Sequence, residues 1–285
     1  MNFLRLQTVV LLIVLFSTSC RKPVNHDFPD FEKKLVVNSI LVADSIIEVH
    51  VSLSDKMNYD SLAVLNNAEV SLYINDVFTE QLHYVDKGIY IASASVIKGN
   101  KYNCTVNYDE LLEASAHCYI PIQTPITEAV LYENYWVNDE GELCPAVQFS
   151  INNNTSKSMY YNARIIAMNK HNSDSVNDWS FVEEFSIDVF SNEHESGLLI
   201  NKNIEFNGNT QGTDCEFAYI LELRTLNIDF YKYLKSVELY EIGRYPEFDS
   251  GIAAPYNLYS NVTGGYGIFT GYSSVYLNLF SSDKN

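Results

Sequence analysis

Apolar and polar residues alternate with a period of two through much of the first half of the chain. Ile47, Val49, Val51 and Leu53 alternate with Glu48, His50 and Ser52. Ala68, Val70, Leu72 and Ile74 do so with Glu69, Ser71, Tyr73 and Asn75. Tyr102, Cys104, Val106 and Tyr108 alternate with Asn103, Thr105 and Asn107, and Ala114, Ala116, Cys118 and Ile120 with Ser115, His117 and Tyr119. Successive side chains of a strand point to opposite faces, so each run predicts a strand with one buried face. Asp76, Asp86-Lys87-Gly88 and Gly99-Asn100 supply the turns between them. Short strands at this spacing predict a sandwich. The stretch from Asn67 to Val106 resembles the Ig-like or transthyretin-like repeats of many bacterial envelope proteins.

Pro121 and Pro125 punctuate the chain, and we place a domain boundary there. Further strands are expected at Ala129–Trp136, Ala146–Ile151, Tyr160–Met168, Phe181–Phe190, Leu198–Phe206 and Glu216–Leu226, with polar loops at Asn152–Ser158 and Lys170–Asp178. One segment changes period. Phe230, Tyr233, Leu234, Val237 and Tyr240 fall at helical spacing behind a candidate N-cap, Asn227, and Gly243 and Pro246 stop the helix near 228–242. Strand character returns at Asn257–Ser260, Tyr266–Thr270 and Val275–Phe280. The expected fold class is therefore all-β: two β-sandwich domains, with one helix late in the second.

The N-terminus reads as an address. Arg5 precedes an apolar run from Thr8 to Phe16, and Ser17-Thr18-Ser19 forms a small-residue cleavage region. The run is too short for a spanning helix. The residue after the triplet is Cys20, as in a bacterial lipobox, where the thiol receives diacylglycerol and the freed amine is acylated. Ser17 departs from that pattern, in which Leu is commoner, and an ordinary signal peptide with an incidental Cys is the alternative. Two or more chains anchor stably, because each buried CH₂ contributes about 0.8 kcal/mol. The expected organisation is a signal peptide over 1–19, a lipidated Cys and tether over 20–33, a first sandwich over 34–122 and a second over 123–285. Arg21, where an Asp in similar lipoproteins favours inner-membrane retention, points to the outer membrane and leaves the leaflet open.

Three ordered blocks carry a family resemblance. They are Lys34–Leu41 with Val49–Ser54; Asn67–Tyr73 with Gly88-Ile89-Tyr90; and Tyr231–Leu234 with Ser260-Asn261-Val262 and Gly265–Phe269. Behind a lipoprotein signal, this set resembles the Bacteroidota envelope lipoproteins grouped as domain of unknown function 4249. The resemblance spans nearly all of the mature chain. It implies an outer-membrane lipoprotein, often encoded beside a TonB-dependent receptor, and it implies no activity and no catalytic residue.

Charge narrows the partners. Lys+Arg number 18 against 36 Asp+Glu, a net charge of -18, which excludes the basic face that nucleic acid or an anionic bilayer surface demands. The chain contains no zinc-protease, nucleophile-elbow, phosphate-loop or dinucleotide motif, so we expect no enzyme, cofactor or metal. His50 and His117 sit on polar sides of strands and read as solvated. His194 lies between Glu193 and Glu195, and neighbours on one loop rarely converge on one ion. Glu183-Glu184 and Asp139-Glu140 are adjacent acids of the kind a chain with 36 acids contains by chance.

With Cys20 lipidated, Cys104, Cys118, Cys144 and Cys215 remain in an oxidising compartment, and three pairings are open. A hairpin centred on Leu111 would set Cys104 opposite Cys118, favouring that bridge, worth about 3 kcal/mol in the chain-entropy model. Two reduced core thiols are the alternative, and Cys144–Cys215 follows only by elimination. Asp44-Ser45-Ile46, Asp60-Ser61-Leu62 and Asp174-Ser175-Val176 fit a short O-glycosylation pattern of this bacterial group.

Six of the 12 Gly fall between Gly243 and Gly271, interleaved with Tyr245, Phe248, Tyr256, Tyr259, Tyr266, Phe269 and Tyr272. Glycine permits close approach and tyrosine is a common interface anchor, so Tyr256, Tyr259, Tyr266 and Tyr272 are candidate partner or ligand contacts; the alternative is that they fill the second core. The expected function is a binding or accessory module on the outer membrane, with a TonB-dependent receptor as partner in nutrient capture and the ligand unknown. The main alternative is a pilus-type or adhesive lipoprotein assembled by strand exchange, which would want a protease site and a releasable first strand; Lys33-Lys34 before Leu35 is basic but lacks an Arg. A hydrolase ranks third.

Overall fold

A computed structural model describes residues 32–55, 63–171, 180–207, 215–244 and 256–279. The strands are β1 (Leu35–Val42), β2 (Ile46–Leu53), β3 (Ala63–Val64), β4 (Glu69–Ile74), β5 (Val77–Gln81), β6 (His83–Asp86), β7 (Ile89–Ser95) and β8 (Lys101–Asn107). They continue with β9 (Ala114–Tyr119), β10 (Ile126–Val137), β11 (Leu143–Asn152), β12 (Tyr160–His171), β13 (Ser180–Ser191), β14 (Leu199–Glu205) and β15 (Cys215–Leu226). Helix α1 (Ile228–Arg244) and strand β16 (Tyr266–Leu279) close the chain. The expected all-β sandwich with one late helix is therefore the observed fold.

Three sheets build two sandwiches. A nine-stranded sheet runs β13-β12-β15-β16-β1-β2-β7-β6, with β3 beside β2. A four-stranded sheet, β5-β4-β8-β9, and a three-stranded sheet, β10-β11-β14, complete the set. The period-two apolar positions face inward. Val37, Leu41, Ile47, Val49, Val51, Val70, Leu72, Tyr102, Cys104 and Val106 form one core, and Val147, Phe149, Ile151, Ile165, Ile200, Ile204, Leu221 and Leu223 form the other. The boundary expected at Pro121–Pro125 falls between β9 and β10, on the sequence line that separates these cores.

One strand crosses that line. The first half of β16 pairs in parallel with β1, from Val36↔Tyr266 to Val42↔Tyr272. Its second half pairs antiparallel with β15, from Leu226↔Tyr272 to Tyr219↔Leu279. The large sheet is thus continuous through both cores, and Lys33–Asn285 form one compact unit. Phe269 belongs to the first core and Leu279 to the second. Sequence reading expects two separate strands here, because Gly271 and Ser273-Ser274 interrupt the apolar pattern. The glycines have a packing reason instead. A methyl group on Gly271 would strike the Leu41 carbonyl oxygen and the Ile120 side chain. Gly267 has φ +115 and lies equally close to the Val37 carbonyl. The surface that these glycines approach is β1 of the same chain. Asn257–Ser260, expected as a strand, is irregular.

The seam is closed by side-chain amides. Strand β9 is an edge of its sheet, and an edge exposes unpaired backbone groups. Ser115 exchanges backbone hydrogen bonds of 2.9 and 2.8 Å with Thr263. Asn261 Nδ2 donates to the His117 carbonyl at 3.3 Å, and Asn227 Nδ2 to the Tyr119 carbonyl at 3.2 Å. Asn227 is also the N-cap predicted for α1: its Oδ1 accepts the Asp229 amide at 2.6 Å, and its carbonyl accepts the Tyr231 amide at 3.1 Å. On the linker, the Thr124 amide donates to Thr225 Oγ1 at 2.9 Å.

The cysteine register needs a correction. The β8–β9 turn centres one residue earlier than expected, with the Leu111 amide bonded to the Tyr108 carbonyl and Asp109 at φ 46. A one-residue shift of the centre moves the pairing by two, so Cys104 faces Ala116 and Cys118 faces Tyr102. Both still point into the core because parity is kept. Diagonal neighbours lie about 7–8 Å apart, beyond ordinary disulfide reach. Cys104, Cys118 and Cys144 are buried free thiols. Burial pushes the Cys104 thiol up to about 12, and burial, with Asp229 and Cys104 nearby, raises Cys118 as well. The Cys215 side chain lies outside the described residues.

Candidate functional site

The four tyrosines proposed from sequence do not form one patch. Tyr266 and Tyr272 pair with opposite ends of β1, roughly 20 Å apart at strand rise. Tyr272 is a core residue, stacked on Phe230 at 5.6 Å and covered by the Arg224 guanidinium at 4.7 Å. It drops out as a contact, because its ring is already spent on the packing of α1. Tyr259 is tied inward: its hydroxyl donates to Asp229 Oδ1 at 2.6 Å, and its amide donates to Ser236 Oγ at 2.9 Å. Burial and the Asp229 carboxylate push the Tyr259 phenol up to about 12. Tyr256 and Tyr266 are exposed, the latter with Lys34 over its ring at 5.5 Å. Tyr245 and Phe248 lie outside the described residues, as do Cys20, the signal segment and most of the tether.

The remaining sequence candidates fall in ordinary structural settings. Asp139 and Glu140 are exposed in a turn organised by Asn138, whose Oδ1 accepts the amides of Glu140 and Glu142. His194 is exposed; its neighbour Asn192 holds the loop by donating to Asn153 Oδ1 and to the Asn154 and Lys157 carbonyls. The side chains of Glu183 and Glu184 lie outside the described residues. Ser45 is exposed in the β1–β2 turn; the other two glycosylation tripeptides are outside. Among the described residues no group of three or more His, Cys, Asp or Glu converges for a metal. Among them, too, no helix is long and apolar enough to cross a membrane.

Two open clefts stand out. The first, about 500 Å³, lies at the seam, where the polar face of β8 and β9 meets the N-terminus of α1. Lys101, Asn103, His117 and Tyr119 line one side, and Asn227, Ile228 and Asp229 the other. Asp229 sits in the first turn, where the helix dipole favours an anion. The Asn227 Oδ1 already caps an amide at that positive end, and the Asp229 carboxylate is engaged by the Tyr259 hydroxyl. The second cleft, about 380 Å³, lies on the outer face of the three-stranded sheet, with Glu128, Val130, Tyr132, Gln148, Ser150, Asn201 and Asn203 among its walls.

A third polar cluster sits on the outer face of the large sheet. Glu222 has no exposed surface, yet it is charged among Arg164, Arg224, Ser274 and Tyr276. Arg164 Nε donates to Glu222 Oε2, and Arg224 Nε lies 3.2 Å from Oε1. Ser274 Oγ donates to Oε1 at 2.6 Å, and the Tyr276 hydroxyl does so at 3.0 Å. Burial pushes the carboxyl up, but Ser274, Arg224 and Arg164 outweigh it and hold it below the ordinary value. Arg164, Arg224, Ser274 and Tyr276 all converge on Glu222, so the cluster fastens β12, β15 and β16 together.

Sequence reading missed the cluster and both clefts. The available signals were Arg164 and Glu222 inside otherwise apolar runs, and Gln148, Ser150, Asn201 and Asn203 at the outward positions of β11 and β14.

Fold and clefts together define an all-β protein of two sandwiches that share a sheet and present open clefts. The chain belongs to the family described as domain of unknown function DUF4249, whose model matches residues 21–276. No curated protein matches it.

Proposed function

We propose that this protein is an outer-membrane lipoprotein of Bacteroidota type, anchored through Cys20, that serves as a binding or accessory module beside a TonB-dependent receptor in nutrient capture. The observation that carries this reading is the pair of open clefts on a frame whose halves are stitched together by β16. Rigid elements present a surface more reliably than loops do. The lipobox ending at Cys20 and the family match beginning at residue 21 support the anchor.

Assembly by strand exchange would require β1 to leave the sheet. That strand is paired on both sides, by β2 and β16, and buries Leu35, Val37 and Leu41. Its extraction would open the first core, which favours the accessory reading.

The test is isolation of the native lipoprotein from outer membranes. A stoichiometric receptor is expected to co-purify, and Cys20→Ser is expected to move the protein to the soluble fraction. A ladder of polymers without a receptor, or a Cys20→Ser protein that resists carbonate washing, would overturn the reading.

A further inference from the structure

The outer face of the three-stranded sheet carries amide, hydroxyl and carboxylate side chains with tyrosines at one end. Across the strands run the rows Glu128–Ser150–Asn201, Val130–Gln148–Asn203 and Tyr132–Ala146–Glu205. The polar groups are oriented in advance by one another. Ser150 Oγ donates to Asn201 Oδ1 at 2.6 Å, Asn203 Nδ2 to Glu205 Oε1 at 3.1 Å, and Gln148 Nε2 to the Tyr135 hydroxyl at 3.1 Å. The Tyr132 and Tyr135 rings lie 5.7 Å apart at the end of the face, 37% and 43% exposed. Ala146, opposite Tyr132, is fully buried at this end of the face.

We propose that this face binds a neutral carbohydrate. The inference rests on the capture reading above and names its ligand class. Amide and hydroxyl side chains each offer both donors and acceptors, as sugar hydroxyls do. The exposed tyrosines add flat rings against which the C–H face of a sugar packs, at little conformational cost. Charge excludes the anionic alternatives. The protein carries a net charge of -18, Glu128 stands in the cleft, and its cation, Lys202, is turned to Asp188 at 3.8 Å and to the Phe190 ring at 4.4 Å. Peptide docking by strand addition needs a sheet edge, whereas this cleft lies on a face. The cleft of about 380 Å³ falls in the range of small-ligand sites.

The experiment is affinity electrophoresis of the full-length lipoprotein in detergent, through native gels containing xylan, mannan, a neutral glucan or polygalacturonate. At least one neutral gel is expected to retard the wild type. Tyr132→Ala and the double variant Gln148→Ala with Asn203→Ala are expected to weaken that retention roughly tenfold with an unchanged melting temperature. If Tyr132→Ala fails to fold, the double variant carries the test. No retardation in any neutral gel, retardation by polygalacturonate alone, or retention unchanged in both variants would overturn the proposal. Receptor co-purification is scored on the same preparations. A receptor without sugar binding sinks this inference alone, and sugar binding without a receptor sinks the accessory reading alone.

Discussion

The two sandwiches use their outer surfaces differently. In the first, the exposed edge of β9 is sealed by Thr263 and by the amides of Asn261 and Asn227, so polar side chains near the seam are spent on structure. In the second, the amides of Gln148, Asn201 and Asn203 lie on an open sheet face and close no edge of the fold. The same residue types thus serve as mortar in one half and as presented surface in the other. Backbone need decides which: an unpaired edge carbonyl captures the nearest amide, because a polar group left without a partner is costly. On the open face of the three-stranded sheet the amides bond to neighbouring side chains and not to edge carbonyls.

The sharpest way to break the contrast is to attack the strand that both halves share. Phe269 is fully buried on β16, facing the first core. Phe269→Ala is expected to cost about 3–5 kcal/mol, read by denaturant titration. If the halves were independent, the loss would appear in the first core only.

Glu222 comes next. Removing one partner of a buried pair costs about 3–5 kcal/mol, so Glu222→Gln should approach the lower end of that range, since the amide keeps some hydrogen bonds. The sign of its pH dependence follows from the lowered carboxyl. A group depressed in the folded state stabilises it above the unfolded value near 4.5, and that contribution disappears as pH falls through the folded value. Wild-type stability should therefore drop on acidification below about 4.5, and Glu222→Gln should flatten that drop. An equal acid slope in both proteins would contradict the assignment.

Smaller effects sharpen the comparison. Asn227→Ala removes an N-cap and a seam bond together, for an expected loss of about 1–2 kcal/mol, read by melting. Gln148→Ala removes an amide of the same general kind from the open face and should change stability by no more than about 0.5 kcal/mol. Comparable losses at both positions would erase the distinction between mortar and presented surface.

Much of the fold was legible because period two is a strong code. The alternation around Val49, Leu72, Cys104 and Ala116 placed four strands and their buried faces, and Asn227 marked the start of the helix. Long-range pairing was not legible. Nothing local says that β16 lies parallel to β1, since that contact joins residues at opposite ends of the chain. The glycines that make it possible read as close-approach points of a partner contact, because close approach reads the same in sequence whichever surface is approached. The Cys104 register failed for a related reason: a turn centre uncertain by one residue shifts every cross-strand partner by two. The open amide face was missed because single polar residues between apolar ones are the ordinary pattern of any half-buried strand.

The claim that both sandwiches form one unit can be tested with probes the chain already carries. Trp136 and Trp179, its two tryptophans, both lie in the second half, while Cys104 and Cys118 are buried in the first core. In one denaturant series, tryptophan fluorescence reports the second half, and alkylation of Cys104 and Cys118 followed by mass spectrometry reports the first. A strand shared through Tyr272 predicts coincident midpoints for the two signals. Midpoints that separate, with one half unfolding while the other keeps its probe protected, would contradict it.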